Sequence, residues 1–594
     1  AGPSIGRHAL AWEGPGCIGP MHMALPRVAA AIRLACLLAL LELVRARSLW
    51  LECPQGIPEA LAQDVRCAGS KDSTPEALSL LGMKASVKSP SAERQGQLED
   101  GGLDRRFFVW LSDVHLDPYY SRKSAICARA DGKIPGGTAL PDGTRGCDPP
   151  LVLWESAVAA AARFGQGAEF ALTTGDHVRH KQAELPDPRA NVTAVLGEVA
   201  HALQDGFPGF APEAFIMGSQ GNDDSPEDYE LNITTRDASN PWLATMAKAW
   251  EHAKVMLPTL GAAYSYGGFF ETEVGGLRIL SIDTVIYSVA HRPESQTPPQ
   301  DPFGQFAWLR SRLHKAVQDG RRVWLVGHIP PGEETFSYTA LWKPQYVEAY
   351  LDLVEDPVLG GVISAQLFGH VHADEFRVLP GAPPEAGPVL LTGALSPIYN
   401  SNPSFRLVEY DKSSGRLLNV KVFWAEIPTG GDGLHWRFGY DFLGTYAPLR
   451  KAVDSSGGLT NRAFMGLLES LQRSWAAGSK EFSTYASWYK TQVGNDLTCC
   501  IIKTNGTAPL SVPTKSRYMA KYFCGLRITT EEGFLACAER YYLAPTRSAT
   551  AKRPRKTWQD FWEARRIHWK SVATSSEQPR VDRVCLHMIH EAMR

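Results

Sequence analysis

Five apolar runs in this chain stop on the same kind of residue, and this limits the possible folds more than anything else in the sequence. Phe107–Leu111 leads into Asp113-Val114-His115, Phe170–Leu172 into Gly175-Asp176-His177, and Ala214–Met217 into Gly221-Asn222-Asp223. Val323–Val326 ends on Gly327-His328, and Val362–Phe368 on Gly369-His370-Val371-His372. A short apolar run bounded by glycine reads as a buried strand. A strand that stops at Gly-Asp or Gly-His delivers a polar side chain to the sheet edge. Five such deliveries point to one shared site. Alternate residues of an extended segment face the same way, so Asp113 and His115 can grip one ion, and His370 and His372 can do the same. Carboxylate, imidazole and amide oxygen suit hard-to-borderline divalent cations. Asp176 can bridge two ions, one oxygen to each, and neutral Asn222 limits the negative charge of the site.

Between these runs the apolar spacing turns helical, at Leu151–Phe164, Val192–Leu203, Trp242–Val255, Phe306–Val317 and Tyr346–Val354. Further strands are expected at Leu277–Ile282, Val389–Thr392, Phe405–Tyr410 and Leu418–Phe423. Such alternation implies an α/β layered domain with helices outside a pair of sheets. Ligands at the carboxyl ends of strands follow the general rule for open α/β sheets. The expected organisation is a leader over 1–48, a lead-in over 49–104 and a catalytic domain over 105–429. A helical, cysteine-bearing segment over 430–545 and a basic tail over 546–594 follow.

Composition narrows the class without naming it. The 594 residues are 44% hydrophobic and 21% charged, as in an ordinary globular protein. A net charge of −2 gives no electrostatic case for nucleic acid, and no nucleic-acid-binding module is evident. Lys552–Lys556 reads as a solvated tail. Met23, Arg27, Arg33 and the apolar run Leu34–Leu41 read as a secretory signal. Glu42 and the Arg-rich exit make a poor cleavage site, so an uncleaved N-terminal anchor with membrane association is the alternative. Of 11 cysteines, Cys17 and Cys36 fall in the leader, and the rest cluster as local disulfides would. Sequons at Asn191, Asn232 and Asn505 are compatible with a glycosylating compartment. The expected location is the secretory pathway, either secreted or lysosomal/vacuolar.

A lone histidine in an apolar neighbourhood is usually a hydrogen-bonded structural residue, and Gly-Asp and Gly-Asn are common turn dipeptides. The ordered set is what points to metal. That order resembles the calcineurin-like metallophosphoesterase superfamily. Ser112–Tyr120, Gly327–Gly332, Phe368–Phe376 and Asn402–Arg406 resemble the branch of acid sphingomyelinase-like phosphodiesterases. The resemblance implies a four-layer sandwich of two sheets flanked by helices. It also implies a Cys127–Cys147 pair after the first motif, and a small helical cap around Cys499, Cys524 and Cys537. One ion would be held by Asp113, His115, Asp176 and His372, the other by Asp176, Asn222, His328 and His370. The branch uses zinc, and its reaction is attack on phosphorus by a water bridging two metal ions. Substrates of this kind are phosphodiesters, nucleotides, phospholipids or polyphosphate.

The third block departs from the family. Most relatives carry Gly-Asn-His there, and this chain has Asp223. A carboxylate beside two cations is a poor proton donor. His180, four residues after Asp176, matches a second family histidine near the leaving group and is the expected acid; His177 is the weaker candidate. The Gly-Asp-His-Val-Arg-His stretch also resembles endopolyphosphatases, which likewise lack the Gly-Asn-His histidine. A third reading is a catalytically weak metal-binding scaffold. Residues 49–104 hold only Cys53 and Cys67, too few for the six-cysteine saposin-like domain of acid sphingomyelinase.

Overall fold

The five runs are strands, and their neighbours form two sheets. The computed structural model describes residues 103–128, 132–234, 238–335, 339–427, 433–493 and 522–543, all within the compact unit Gln97–Arg594. The leader, nearly all of the lead-in and the basic tail lie outside the described residues, as do Cys53, Cys67, Cys499 and the Asn505 sequon. No helix among the described residues is long and apolar enough to cross a membrane.

The strands are β1 Arg105–Leu111, β2 Ala171–Thr173, β3 Phe215–Met217, β4 Phe270–Val274, β5 Leu277–Ser281 and β6 Val323–Val326. They continue with β7 Ile363–Phe368, β8 Glu375–Arg377, β9 Val389–Leu391, β10 Ser404–Asp411, β11 Arg416–Trp424 and β12 Arg437–Asp441. One six-stranded sheet has the order β12-β11-β10-β1-β2-β3 and the other β4-β5-β6-β7-β9-β8. In the first, β1, β2 and β3 are parallel. In the second, β5, β6, β7 and β9 are parallel. Parallel strands covered on both faces need unbroken apolar sequence, and β2, β3, β6 and β7 are buried at every position.

The sheets meet through aromatic side chains. Phe108 stacks on Phe170 at 4.6 Å and meets Trp324 of the other sheet at 5.1 Å. Tyr410 closes the group, 5.2 Å from Trp324. Burying each such ring is worth about 2–3 kcal/mol. A polar bolt also joins the sheets. Arg406 on β10 pairs with buried Asp374, which immediately precedes β8, and lies 5.1 Å over the Trp110 ring. Tyr440 OH donates to the other Asp374 oxygen at 2.7 Å. Asp374 and Arg406 belong to two of the stretches that carry the resemblance, and their role here is to pin the start of β8 to β10.

Helices flank the sheets where the spacing places them. Leu151–Phe164 has the expected limits, and Pro188–Gly206, Pro241–His252, Gln305–Asp319 and Pro344–Val354 enclose or overlap the other runs. The helical part of the C-terminal segment begins at Phe442, because Arg437–Asp441 pairs with β11. Disulfides join Cys127 to Cys147 and Cys524 to Cys537.

Candidate metal centre

The loops after β1, β2, β3, β6 and β7 converge, and their backbones are bent to do so. Asp113, His115, Asp176, His370 and His372 all have φ between 48° and 71°. Side chains other than glycine rarely adopt that region, at a cost of order 1 kcal/mol each. Hydrogen bonds hold the bends. Asp113 N–H donates to Gly175 O at 3.1 Å and His115 N–H to Asp176 O at 3.0 Å. His370 N–H donates to Asp113 Oδ1 at 2.8 Å. Gly221 must lack a side chain, because a Cβ there would strike the backbone and carboxylate of Asp176.

The sequence-derived candidates come together. Asp113, His115, Asp176 and His372 can present one atom each within 4.8 Å of one another, and so can Asp176, His328 and His370. Asn222 Oδ1 lies 3.1 Å from His328 Nε2. Asp176 sits between the two groups, its Oδ2 3.4 Å from His115 Nε2 and 3.1 Å from His328 Nε2.

The electron pairs of this cluster face one another. His115 Nδ1 sits 3.0 Å from Val178 O, which as an acceptor fixes the ring proton there. His115 Nε2 is then an acceptor, 3.0 Å from His372 Nε2. His328 repeats the pattern. Its Nδ1 is 2.7 Å from Thr174 O, and its Nε2 faces the oxygens of Asp176 and Asn222, an arrangement that requires a second ring proton or a cation at that nitrogen. Asp113 Oδ2 is buried with no partner. Buried acceptors aimed at acceptors are costly unless a cation lies between them.

The titration preferences tell the same story. Burial, then the neighbouring rings His180 and His372, hold His115 well below the ordinary imidazole range. Burial disfavours a charged His328, yet the Asp176 carboxylate overrides it and pushes the ring up to about 9. The protein attracts positive charge to the spot where a ligand set would put an ion. These residues fit two divalent cations.

His180 and Asp223 lie beside this group. The His180 ring stacks on His115 at 4.0 Å. Its Nδ1 is 3.1 Å from both oxygens of Asp148, and its N–H donates to Asp148 Oδ2 at 2.9 Å. Its Nε2 meets Tyr399 OH at 3.0 Å and lies 3.8 Å from Asp223 Oδ2. Burial, then Asp228 and the other nearby carboxylates, push Asp223 well above the usual carboxylate range. His177 turns away. Its Nδ1 is 2.9 Å from Asp224 Oδ2 and its Nε2 3.2 Å from Thr173 Oγ1.

Several residues escaped the sequence reading. Asp224 takes N–H groups from Asp176, His177 and Gly221 at 2.7–3.0 Å, locking the β2 and β3 loops together. Asp228 accepts from Asn222 Nδ2 at 3.0 Å and so aims the amide oxygen at His328. Asp224 follows the third block directly, and Tyr399 lies just before the Asn402–Arg406 stretch; both could have been marked from position. Asp148 and Asp228 carry no local signal.

No family model matches the chain. It is 28% identical over 336 residues to the sphingomyelinase phosphodiesterase D of Dictyostelium discoideum, covering 55% of this chain and 71% of that one. It is 26% identical over 416 residues to the human cyclic GMP-AMP phosphodiesterase SMPDL3A, covering 66% and 84%. Among solved structures, a dimetal phosphatase from Danio rerio superposes with a TM-score of 0.35 at 13% identity, covering 56% of this chain and 98% of that one. Two helix-flanked mixed sheets and a His/Asp cluster of metal-binding type define the class, a phosphoester hydrolase. Within it, the curated relatives of this chain are the acid sphingomyelinase-like phosphodiesterases.

Proposed function

We propose that this chain is a dinuclear-metal phosphodiesterase of the secretory pathway, secreted or lysosomal/vacuolar. Asp113, His115, Asp176 and His372 would hold one ion, and Asp176, Asn222, His328 and His370 the other. The observation that carries this reading is the crowding of the ligand atoms of His115, His328, His372 and Asp176 at one buried spot. Zinc suits this mix of imidazole and carboxylate. When bound, two such ions supply positive charge to a phosphate and lower the pKa of a water molecule.

The chain's own residues supply alignment and the proton. Asp228 keeps the Asn222 oxygen turned inward. Asp148 grips His180 Nδ1 and orients the ring, so that a proton on Nε2 would be the one given to the departing oxygen. Tyr399 OH fixes the direction of Nε2. Asp223 Oδ2, 3.8 Å from the same nitrogen, is the second acidic group beside it. The names of the relatives, a sphingomyelinase phosphodiesterase and a cyclic GMP-AMP phosphodiesterase, support lipid and nucleotide diesters as the substrates to try first.

The test is hydrolysis of bis-p-nitrophenyl phosphate by purified protein with added Zn²⁺ across pH 4–8. Sphingomyelin, nucleotides and polyphosphate are run in parallel. Turnover that survives Asp176→Ala or His328→Ala unchanged would sink the assignment. Metal uptake without turnover on any substrate would favour a binding scaffold.

A further inference from the structure

Lys490 is buried, only 6% exposed, at the end of the helix Lys480–Tyr489. A buried ammonium needs a reason, because removal from water costs several kcal/mol unless polar partners replace it. Its Nζ donates to the carbonyl oxygen of His372 at 3.1 Å. It also lies 5.9 Å over the ring of Tyr399 and 5.7 Å over that of Tyr489. Burial raises the carboxyl of nearby Glu375, and Arg377 first, with Lys490 as the last of the opposing groups, works against that rise.

The neighbours of Lys490 grip the same region. Tyr489 O accepts from Asp374 N–H at 3.0 Å. Thr491 O accepts from Asn402 Nδ2 at 2.9 Å. Three consecutive residues of the C-terminal segment thus hold both walls of the site. One wall is the His370-Val371-His372 turn, with two histidines in the left-handed region. The other is the loop carrying Tyr399, whose ring packs 4.8 Å from His372 and whose OH meets His180.

We propose that Lys490 is a positioning residue: through the His372 carbonyl and the Tyr399 ring it fixes the direction of His372 and ties the C-terminal helices to the metal centre. This rests on the metal-centre reading above. A turn held in a strained conformation relaxes when its anchor is lost, and the imidazole on it then swings by more than a ligand position tolerates.

The experiment compares Lys490→Met, Lys490→Arg and wild type by metal content, Zn²⁺ affinity, kcat and KM on bis-p-nitrophenyl phosphate, and thermal midpoint. Lys490→Met is expected to keep one ion firmly and to bind the second at least tenfold more weakly. Its kcat should fall at least tenfold while KM changes less than threefold, and Lys490→Arg should restore most of both. Two ions held with wild-type affinity and an unchanged kcat in Lys490→Met would overturn the proposal while leaving the metal-centre reading intact. A wild type that takes up no metal would overturn both. If Lys490→Met does not fold, Lys490→Gln gives the same readout, and unchanged Zn²⁺ affinity there overturns the proposal.

Discussion

Two buried polar clusters lie at the same end of the second sheet, and they are built on opposite rules. Beneath the C-terminal helices, unlike groups meet. Glu375 Oε1 pairs with Arg377 Nε at 3.1 Å, and its Oε2 accepts from Thr335 Oγ1 at 2.6 Å. Arg377 Nη1 donates to Pro331 O at 2.8 Å. In the cluster around Asp176, like groups meet. His115 Nε2 faces His372 Nε2, and His328 Nε2 faces the Asn222 and Asp176 oxygens. The first cluster nearly satisfies itself. The second is satisfied only by added positive charge. Structure alone explains a network that closes on itself, and an open network of this depth calls for a ligand.

The contrast breaks first at Asp176. Asp176→Ala removes the only carboxylate shared by both proposed ion sites. Turnover of a diester is expected to fall on the order of a thousandfold, with loss of bound metal. Retention of two ions per chain in that variant, measured by metal analysis, would show that the open cluster was not built around this residue. His180→Ala comes next. Removing an acid in the transition state costs about a hundredfold or more. The loss should be large with an alkyl leaving group and small with p-nitrophenolate, which departs without a proton. Equal losses with both would remove His180 from proton delivery.

Asp224 sharpens the comparison, because it is a closed network placed beside an open one. Burial works against its charge, but His177 and the surrounding N–H groups hold its pKa below the usual carboxylate value. Asp224→Asn keeps the shape and loses acceptor strength. Metal affinity is expected to fall about tenfold, as for other groups that orient ligands. Zn²⁺ titration of the variant measures this, and unchanged affinity would make Asp224 a purely local brace.

The difference between these networks also marks what was readable from sequence. The strands bearing Asp113, Asp176, Asn222, His328 and His370 announce themselves, since buried parallel strands need unbroken apolar runs and their ends need glycine or a polar ligand. Helices such as Leu151–Phe164 follow from spacing. Three of the four edge strands were not legible: β4 (Phe270–Val274) mixes Glu and Thr with apolar residues, and β8 and β12 exist because a neighbour offers hydrogen bonds. Asp148 and Lys490 were invisible for a related reason. Each acts across more than 30 residues of sequence, on His180 and His372 respectively, and no local pattern encodes such a meeting.

The last test concerns the closed cluster. Glu333 is 8% exposed, and burial followed by repulsion from Glu531 pushes its carboxyl from 4.5 up to about 7, with Arg377 opposing. A carboxyl that binds its proton more tightly when folded weakens the fold as pH rises. Stability is therefore full below about pH 4.5, declines through pH 7 and is flat above, a loss of about 3 kcal/mol if no other group compensates. Glu333→Gln should leave stability at pH 4.5 unchanged and raise it at pH 8, so the two denaturant midpoints coincide in acid and separate above neutrality. Parallel pH curves for variant and wild type would mean that Arg377 already neutralises Glu333, and that the cluster under the C-terminal helices is closed completely.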